Sequence, residues 1–416
     1  MVLTSENIKE NVRIMLPSSK SISNRVLVIN ALSGNEVPPV NISDCDDTKV
    51  MLQWLRNRPQ TVDIGAAGTA MRFSTALLAI TDGEHVITGT SRMKQRPISV
   101  LVDALRAIGA HIDYIENEGF PPLSILGNTD LKGGAVTLRG NVSSQYISAL
   151  LMIAPYLREG LTLQLTDDII SRAYIDMTIE LMTAFGAEVE WIDEATIHVN
   201  HGKYKQQTYV VESDWSAASY WYEILALSNE MTSVFLPNLM SESLQGDSAV
   251  ADIFEDLGVT TDFLIDADDH CCVRLSKTGE IVDFFEYDFS NQPDLAQSFA
   301  VTCCMMNIPF HLTGLSTLRI KETDRLEALK NELAKLGYDI QILHDAELRW
   351  EGNQRSFTED ELRAVAVDTY DDHRMAMAFA PCVLKTGKLT INHPEVVSKS
   401  YPSFWNDMTS AGFNIK

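Results

Sequence analysis

The chain has 416 residues, 45% of them hydrophobic, enough for a substantial core and, by length, for two or three domains. Lys+Arg 33 against Asp+Glu 57 gives a net charge of -24, which excludes the extended positive face that nucleic acid or an anionic membrane requires. An anionic small molecule can bind only where the few cations gather.

Cys45, Cys271, Cys272, Cys303, Cys304 and Cys382 contain no C-x-x-C spacing, so idle thiols in a reducing cytoplasm are expected rather than a disulfide framework or zinc site. The opening Met1–Glu6 lacks the basic start and apolar core of a signal peptide, and no apolar run reaches the ~18 residues of a membrane helix. A soluble cytoplasmic enzyme is expected.

Small, polar or acidic turns open apolar helices at Ser21-Ile22-Ser23, Gly68-Thr69-Ala70, Ser143-Ser144-Gln145, Ser213-Asp214-Trp215-Ser216, Pro293-Asp294-Leu295 and Asp372-His373-Arg374. From Gly68 onward they recur about every 70 to 80 residues, the mark of an internal repeat. A second helix in each repeat stops at a glycine, at Gly109, Gly186, Gly258, Gly337 and Gly412, in steps of 72 to 79 residues, because a left-handed helix end favours glycine. The first repeat is shorter and has Leu55-Arg56-Asn57-Arg58-Pro59 where its glycine would fall.

Each repeat reads as helix, strand, helix, strand, with short alternating strands such as His85–Gly89 and Leu161–Leu165. Helices such as Ile147–Leu157 and Ala217–Leu227 are too uniformly apolar to face solvent, which predicts α/β units with helices inside. Six repeats divide as three plus three. The crossings are expected near Val211–Asp214 and Leu16–Ser19, giving a first domain of 19–212 and a second of 1–18 with 213–416, a hinge of two crossings, and a binding cleft between the halves.

The chemistry-bearing residues cluster at the helix openings. In Pro17-Ser18-Ser19-Lys20-Ser21-Ile22-Ser23-Asn24-Arg25, hydroxyls and two cations meet at a helix start, where free N–H groups favour an anion; a serine-rich N-cap explains it as well. Gly65-Ala66-Ala67-Gly68-Thr69-Ala70-Met71-Arg72 allows close backbone approach by a ligand or by a neighbouring helix, and it matches neither nucleotide-binding glycine pattern. Ser91-Arg92-Met93-Lys94-Gln95-Arg96-Pro97 is a cation cluster in an acidic chain, either a solvated loop or an anion site.

Asn141-Val142-Ser143-Ser144-Gln145 and Ile170-Ser171-Arg172-Ala173-Tyr174 supply neutral donors and one arginine, suited to a hydroxylated, phosphorylated ligand, although N-caps account for the serines too. In Arg319-Ile320-Lys321-Glu322-Thr323-Asp324-Arg325 a lysine beside a glutamate forms a titratable pair fit for acid–base work, or a charged helix start. Asp371-Asp372-His373-Arg374 and Val397-Ser398-Lys399-Ser400 bring the last cations; the consecutive Asp-Asp-His cannot converge on one metal ion, which favours chemistry without a metal.

Taken in order, Leu16–Arg25, Ala67–Arg72, Arg92–Pro97, Asn141–Gln145, Lys321–Arg325 and Asp372-His373-Arg374-Met375-Ala376-Met377 closely resemble the motif series of the 5-enolpyruvylshikimate-3-phosphate (EPSP) synthases, across almost the whole chain. The resemblance implies transfer of the enolpyruvyl group of phosphoenolpyruvate to the 5-hydroxyl of shikimate 3-phosphate, with release of phosphate and no metal or organic cofactor. It implies a monomer and two similar domains, each of three βαβαββ units with the helices inside, an inside-out α/β barrel.

Carried over by motif, Lys20, Ser21, Arg25, Ser143, Ser144, Gln145, Ser171, Tyr174, Asp294 and Lys321 would contact shikimate 3-phosphate. Lys20, Gly68, Arg96, Gln145, Arg325, Arg374 and Lys399 would hold phosphoenolpyruvate. Asp294 would be the base for the attacking hydroxyl, and Glu322 would protonate the methylene carbon, helped by Lys20, Lys321 and His373.

Ala66, Phe73 and Thr317 depart from the familiar pattern, which has asparagine, proline and asparagine there. Two amide contacts are thereby missing, and sensitivity to the family's inhibitor glyphosate is not carried over. The sister UDP-N-acetylglucosamine enolpyruvyl transferases are the nearest alternative; they commonly use a cysteine in the loop matching Ser91–Arg96, and none lies there. A non-catalytic anion-binding protein is the other, and it gives no reason for both Asp294 and Glu322.

Overall fold

The structure, a computed structural model, describes residues 1–5, 7–35, 37–229, 232–265 and 271–416. The chain divides into two compact units, Ser18–Val211 and Met1–Pro17 with Glu212–Lys416.

In the Ser18–Val211 unit, the helices Lys20–Leu32, Gly68–Ala79 and Ser144–Ile153 pack on one another. Every residue of Gly68–Ala79 is buried, including the polar Thr69, Arg72, Ser74 and Thr75. The helix Asp46–Asn57 is amphipathic instead and buries only Asp47, Thr48, Met51 and Trp54, one stripe at helical spacing.

Two four-stranded sheets cover these helices with one shared topology. In the first, Thr61–Asp63 pairs parallel with Gly83–Thr88, which is followed by the antiparallel Leu123–Gly127 and His111–Tyr114. In the second, Gly134–Arg139, Leu161–Thr166, Thr196–Val199 and Val189–Trp191 repeat that order. The first repeat has only the isolated bridge Val40↔Val210 among the described residues. Its missing glycine stop is replaced by Arg58, which itself adopts the left-handed helix end at φ 43°.

The other unit holds three sheets of the same topology around the helices Trp215–Leu227, Ala296–Met306 and His373–Phe379. Val12–Arg13 joins Ser233–Pro237 in parallel, and Val2–Thr4 pairs antiparallel with both Lys388–Ile391 and Asn414–Ile415. The start of the chain thus completes two sheets of this unit. All of Trp215–Leu227 except Ser216 is buried.

Two expected helices are shorter than their apolar runs. The run Ile147–Leu157 leaves the α-helix at Ile153 and continues as a 3-10 turn over Ala154–Tyr156, because Pro155 has no N–H to donate to the preceding turn. The segment before Gly258 is a single α-turn, Val250–Ile253, followed by 3-10 over Phe254–Leu257. All five marker glycines have positive φ, from 78° to 114°.

Candidate active site

Several of the helix openings are built by side-chain caps. Ser143 accepts from the Gln145 N–H, Asp214 from Ala217 N–H at 2.9 Å and Asp372 from Arg374 N–H at 2.9 Å. Each cap satisfies one of the donors that a helix start leaves open.

In the unit containing Glu212–Lys416, Arg325 opens its helix fully buried and fans its guanidinium over three carboxylates. Nε donates to Asp372 Oδ2 at 2.7 Å, Nη1 to Asp294 Oδ1 at 2.9 Å and Nη2 to Glu322 Oε2 at 3.0 Å. Burial opposes this charge, but Asp372, Glu322 and Asp294 outweigh it and hold the guanidinium above its usual pKa.

The acids have further cations of their own. Glu322 Oε1 meets the Lys399 ammonium at 2.9 Å, and Asp294 Oδ1 meets Lys321 at 3.3 Å. Asp294 Oδ2 meets Arg374 Nη2 at 3.1 Å, and Arg374 Nη1 also donates to the Asp294 carbonyl at 3.0 Å. Burial pushes the Lys321 ammonium below its ordinary range while Asp294 pulls the other way. His373 is 1% exposed, with Nδ1 3.7 Å from Asp372 Oδ1. The structure therefore brings Asp294, Lys321, Glu322, Arg325, Arg374 and Lys399 into one cluster.

Sequence reasoning missed two acids there. Asp372 stands in the sequence only as part of a motif, yet it is fully buried and clamps Arg325 while capping the His373 helix. Asp247, 3% exposed, reaches the cluster through Ser216. The Asp-His-Arg opening was a signal for the first; the turn around Asp247 follows no repeat marker and gave none.

The Ser18–Val211 unit gathers the remaining candidates. Arg25, 2% exposed, donates Nε to Thr178 Oγ1 at 2.7 Å, Nη1 to the Ser21 carbonyl at 2.9 Å, and Nη2 to Ser148 Oγ at 3.1 Å and the Tyr174 carbonyl at 3.2 Å. Its guanidinium lies 5.4 Å from the ring centre of Phe73 and 5.9 Å from that of Tyr174. All these acceptors are neutral, and burial lowers its pKa to about 10.

Gly68 sits against two cations: a Cβ there would lie 2.5 Å from Arg96 Nη1 and 2.9 Å from Arg72 Nη1. Arg72 itself donates to the Gly68 carbonyl at 2.9 Å. Gln145 Nε2 donates to Thr69 Oγ1 at 3.1 Å, tying two of the helix openings together. Ser171 holds the left-handed conformation at φ 55° and its side chain makes no cap bond, so its hydroxyl is not spent on the helix it opens. Lys20 begins its helix next to the Ser19 cap.

Of the departures, Phe73 is fully buried beneath Arg25 and Ala66 is exposed. Thr317 is 8% exposed, and its hydroxyl has no hydrogen-bond partner among the described residues. No group of His, Cys, Asp and Glu among the described residues is arranged to hold a metal ion, and no described helix is long and apolar enough to cross a membrane.

Two α/β units with buried helices, one gathering buried cations and the other cations with acids at their helix openings, define an enzyme of the enolpyruvyl transferase fold. Solved structures show the same fold: EPSP synthase from Acinetobacter baumannii at TM-score 0.76 and 21% identity, covering 100% of this chain and 99% of that one. An enolpyruvyl transferase from Streptomyces tendae follows at TM-score 0.73 and 14% identity, covering 100% and 98%.

The sequence pattern of EPSP synthase (3-phosphoshikimate 1-carboxyvinyltransferase) matches residues 57–408. A 3-phosphoshikimate 1-carboxyvinyltransferase of Bacteroides fragilis is 52% identical over 97% of this chain and 96% of its own length, and one of Shewanella pealeana is 36% identical over 95% and 96%. The chain belongs to the EPSP synthase family. Its enzyme class is that of the family, a carboxyvinyl transferase of the shikimate pathway to aromatic amino acids.

Proposed function

We propose that the protein transfers the enolpyruvyl group of phosphoenolpyruvate to the 5-hydroxyl of shikimate 3-phosphate and releases phosphate, acting as a monomer in the cytoplasm. The observation that carries the residue assignment is the placing of two acids, Asp294 and Glu322, on one buried guanidinium, each with a second cation of its own.

In this reading Glu322, ion-paired with Arg325 and Lys399 before substrates bind, takes up a proton as the donor's anionic groups claim those cations, and gives it to the donor's methylene carbon, which builds cationic character at the adjacent carbon. The acceptor's 5-hydroxyl oxygen attacks that carbon as Asp294 takes the hydroxyl proton. Loss of a methyl proton back to Glu322 and cleavage of the carbon–oxygen bond to phosphate, which leaves with the proton taken up by Asp294, then form the enol ether of the product. Lys20, Lys321 and His373 assist these proton transfers.

Arg325, Arg374, Lys399, Arg96, Lys20, Gly68 and Gln145 hold the donor and offset the charge of its leaving phosphate. Lys20, Ser21, Arg25, Ser143, Ser144, Gln145, Ser171, Tyr174, Asp294 and Lys321 hold the acceptor. Arg25 suits an anion because its charge is buried among neutral acceptors.

The test is phosphate release on mixing the purified protein with phosphoenolpyruvate and shikimate 3-phosphate. Release that requires both substrates supports the reaction. Asp294→Ala and Glu322→Gln should each lower turnover by orders of magnitude with modest change in substrate binding, and wild-type turnover in either would remove that residue from the mechanism.

A further inference from the structure

Asp247 is a buried acid to which the reaction above gives no task. It lies in the 3-10 turn Gly246–Ala249, and the preceding Gln245 pins that turn to the opening of the Trp215 helix. Gln245 accepts from Trp215 N–H at 3.1 Å and donates to the Ser213 carbonyl at 2.8 Å. So anchored, the Asp247 carboxylate accepts a hydrogen bond from the Ser216 hydroxyl. The same hydroxyl oxygen accepts from Arg374 Nη2 at 3.4 Å, and Arg374 grips Asp294 through its carbonyl and its carboxylate.

A hydroxyl has one proton. While Asp247 is ionised it takes that proton, and the lone pairs of Ser216 turn to the guanidinium. A protonated Asp247 becomes a donor to Ser216, competes with Arg374 for those lone pairs, and removes a negative charge from its vicinity. We propose that Asp247 is a positioning residue: in its ionised form it orients Arg374, through Ser216, for the phosphate-bearing donor. The proposal rests on the reading of Arg374 as a donor-holding residue.

Several charged or titratable groups face this chain of contacts. Asp214 caps the Trp215 helix, Asp294 precedes the Ala296 helix, and Arg374 comes from the His373 helix with the Tyr220 hydroxyl beside it. Burial, then Asp294, push Asp247 up to about 6, against the pull of Arg374 and the Ser216 hydrogen bond. Its ionisation therefore changes within the range where the enzyme can be assayed.

The experiment is kcat and KM for phosphoenolpyruvate across about pH 5 to 8 for the wild type, Asp247→Asn and Ser216→Ala, with thermal melts to confirm folding. The donor's own phosphate titrates in this range, so the readout is the wild-type to Asp247→Asn ratio of kcat/KM, in which that ionisation cancels. The expected ratio is about tenfold at about pH 8, carried by KM, and falls toward unity as pH drops below the ionisation of Asp247.

A ratio independent of pH, or an unchanged KM at about pH 8, overturns the proposal. If Asp247→Asn does not fold, Ser216→Ala decides by the same KM: a rise supports the coupling and an unchanged value overturns it. Absence of turnover in the wild type would instead sink the donor-site reading on which the proposal rests.

Discussion

Two buried arginines, one in each unit, are treated in opposite ways, Arg25 in the second turn of its helix and Arg325 at the start of another. Arg25 gives all its hydrogen bonds to neutral oxygens, whereas Arg325 gives its own to Asp294, Glu322 and Asp372. The first is a buried cation that an incoming anion can neutralise, so its desolvation becomes affinity. The second is neutralised by the fold, and besides its proposed hold on the donor it places two acids. Binding and chemistry are thus read from the partners of an arginine, not from its identity.

Replacing both arginines with the same residue tests the contrast directly. Arg325→Met takes a cation from three carboxylates, two of them 13% and 17% exposed and one fully buried, and should cost about 3–5 kcal/mol in denaturant unfolding together with all turnover. Arg25→Met removes a charge that no carboxylate among the described residues balances. Its unfolding free energy should change by less than about 1.5 kcal/mol, while affinity for shikimate 3-phosphate, measured by calorimetry, weakens by about 2–5 kcal/mol. Equal stability losses in the two variants would dissolve the distinction.

A smaller effect is expected at Gly68, where an added methyl would meet Arg96 Nη1 at 2.5 Å. Gly68→Ala should displace that guanidinium and weaken phosphoenolpyruvate binding by about 1–3 kcal/mol, read as KM, with shikimate 3-phosphate affinity unchanged. A loss of affinity for both substrates would show that the glycine serves the fold and not the cation beside it.

The smallest change concerns Glu223, in the core of the Glu212–Lys416 unit, whose two carboxyl oxygens have no hydrogen-bond partner among the described residues. Burial raises its pKa well above the usual carboxylate range. The folded protein keeps this proton while the unfolded chain releases it above 4.5, so stability is complete below that pH and is lost as pH rises toward the folded value. Glu223→Met should stabilise by about 1–2 kcal/mol at neutral pH and flatten that part of the stability profile. A destabilised variant would mean that the carboxyl is satisfied in solution. Unlike the clustered acids, Glu223 has no arginine to make its charge tolerable.

The repeats were legible because their signals are local. A capped opening such as Asp372-His373-Arg374 and a glycine at positive φ such as Gly412 are each written in a few consecutive residues. Partnerships across the chain were not. Nothing near Arg25 reveals that Ser148 and Thr178 already take its donors, and nothing near Asp372 shows that Arg325, 47 residues earlier, ends on it. The first repeat misled in the other direction: its helices keep the pattern, but its sheet is reduced to one bridge, and Arg58 adopts the bend that glycine makes elsewhere.

The division between a binding arginine and an organising arginine is tested most directly by single-turnover phosphate release with Glu322→Gln at saturating substrates, alongside its affinity for shikimate 3-phosphate. The account predicts a rate lower by about three orders of magnitude or more with affinity within about threefold of wild type. A wild-type rate, or an affinity lost in proportion to the rate, would contradict it.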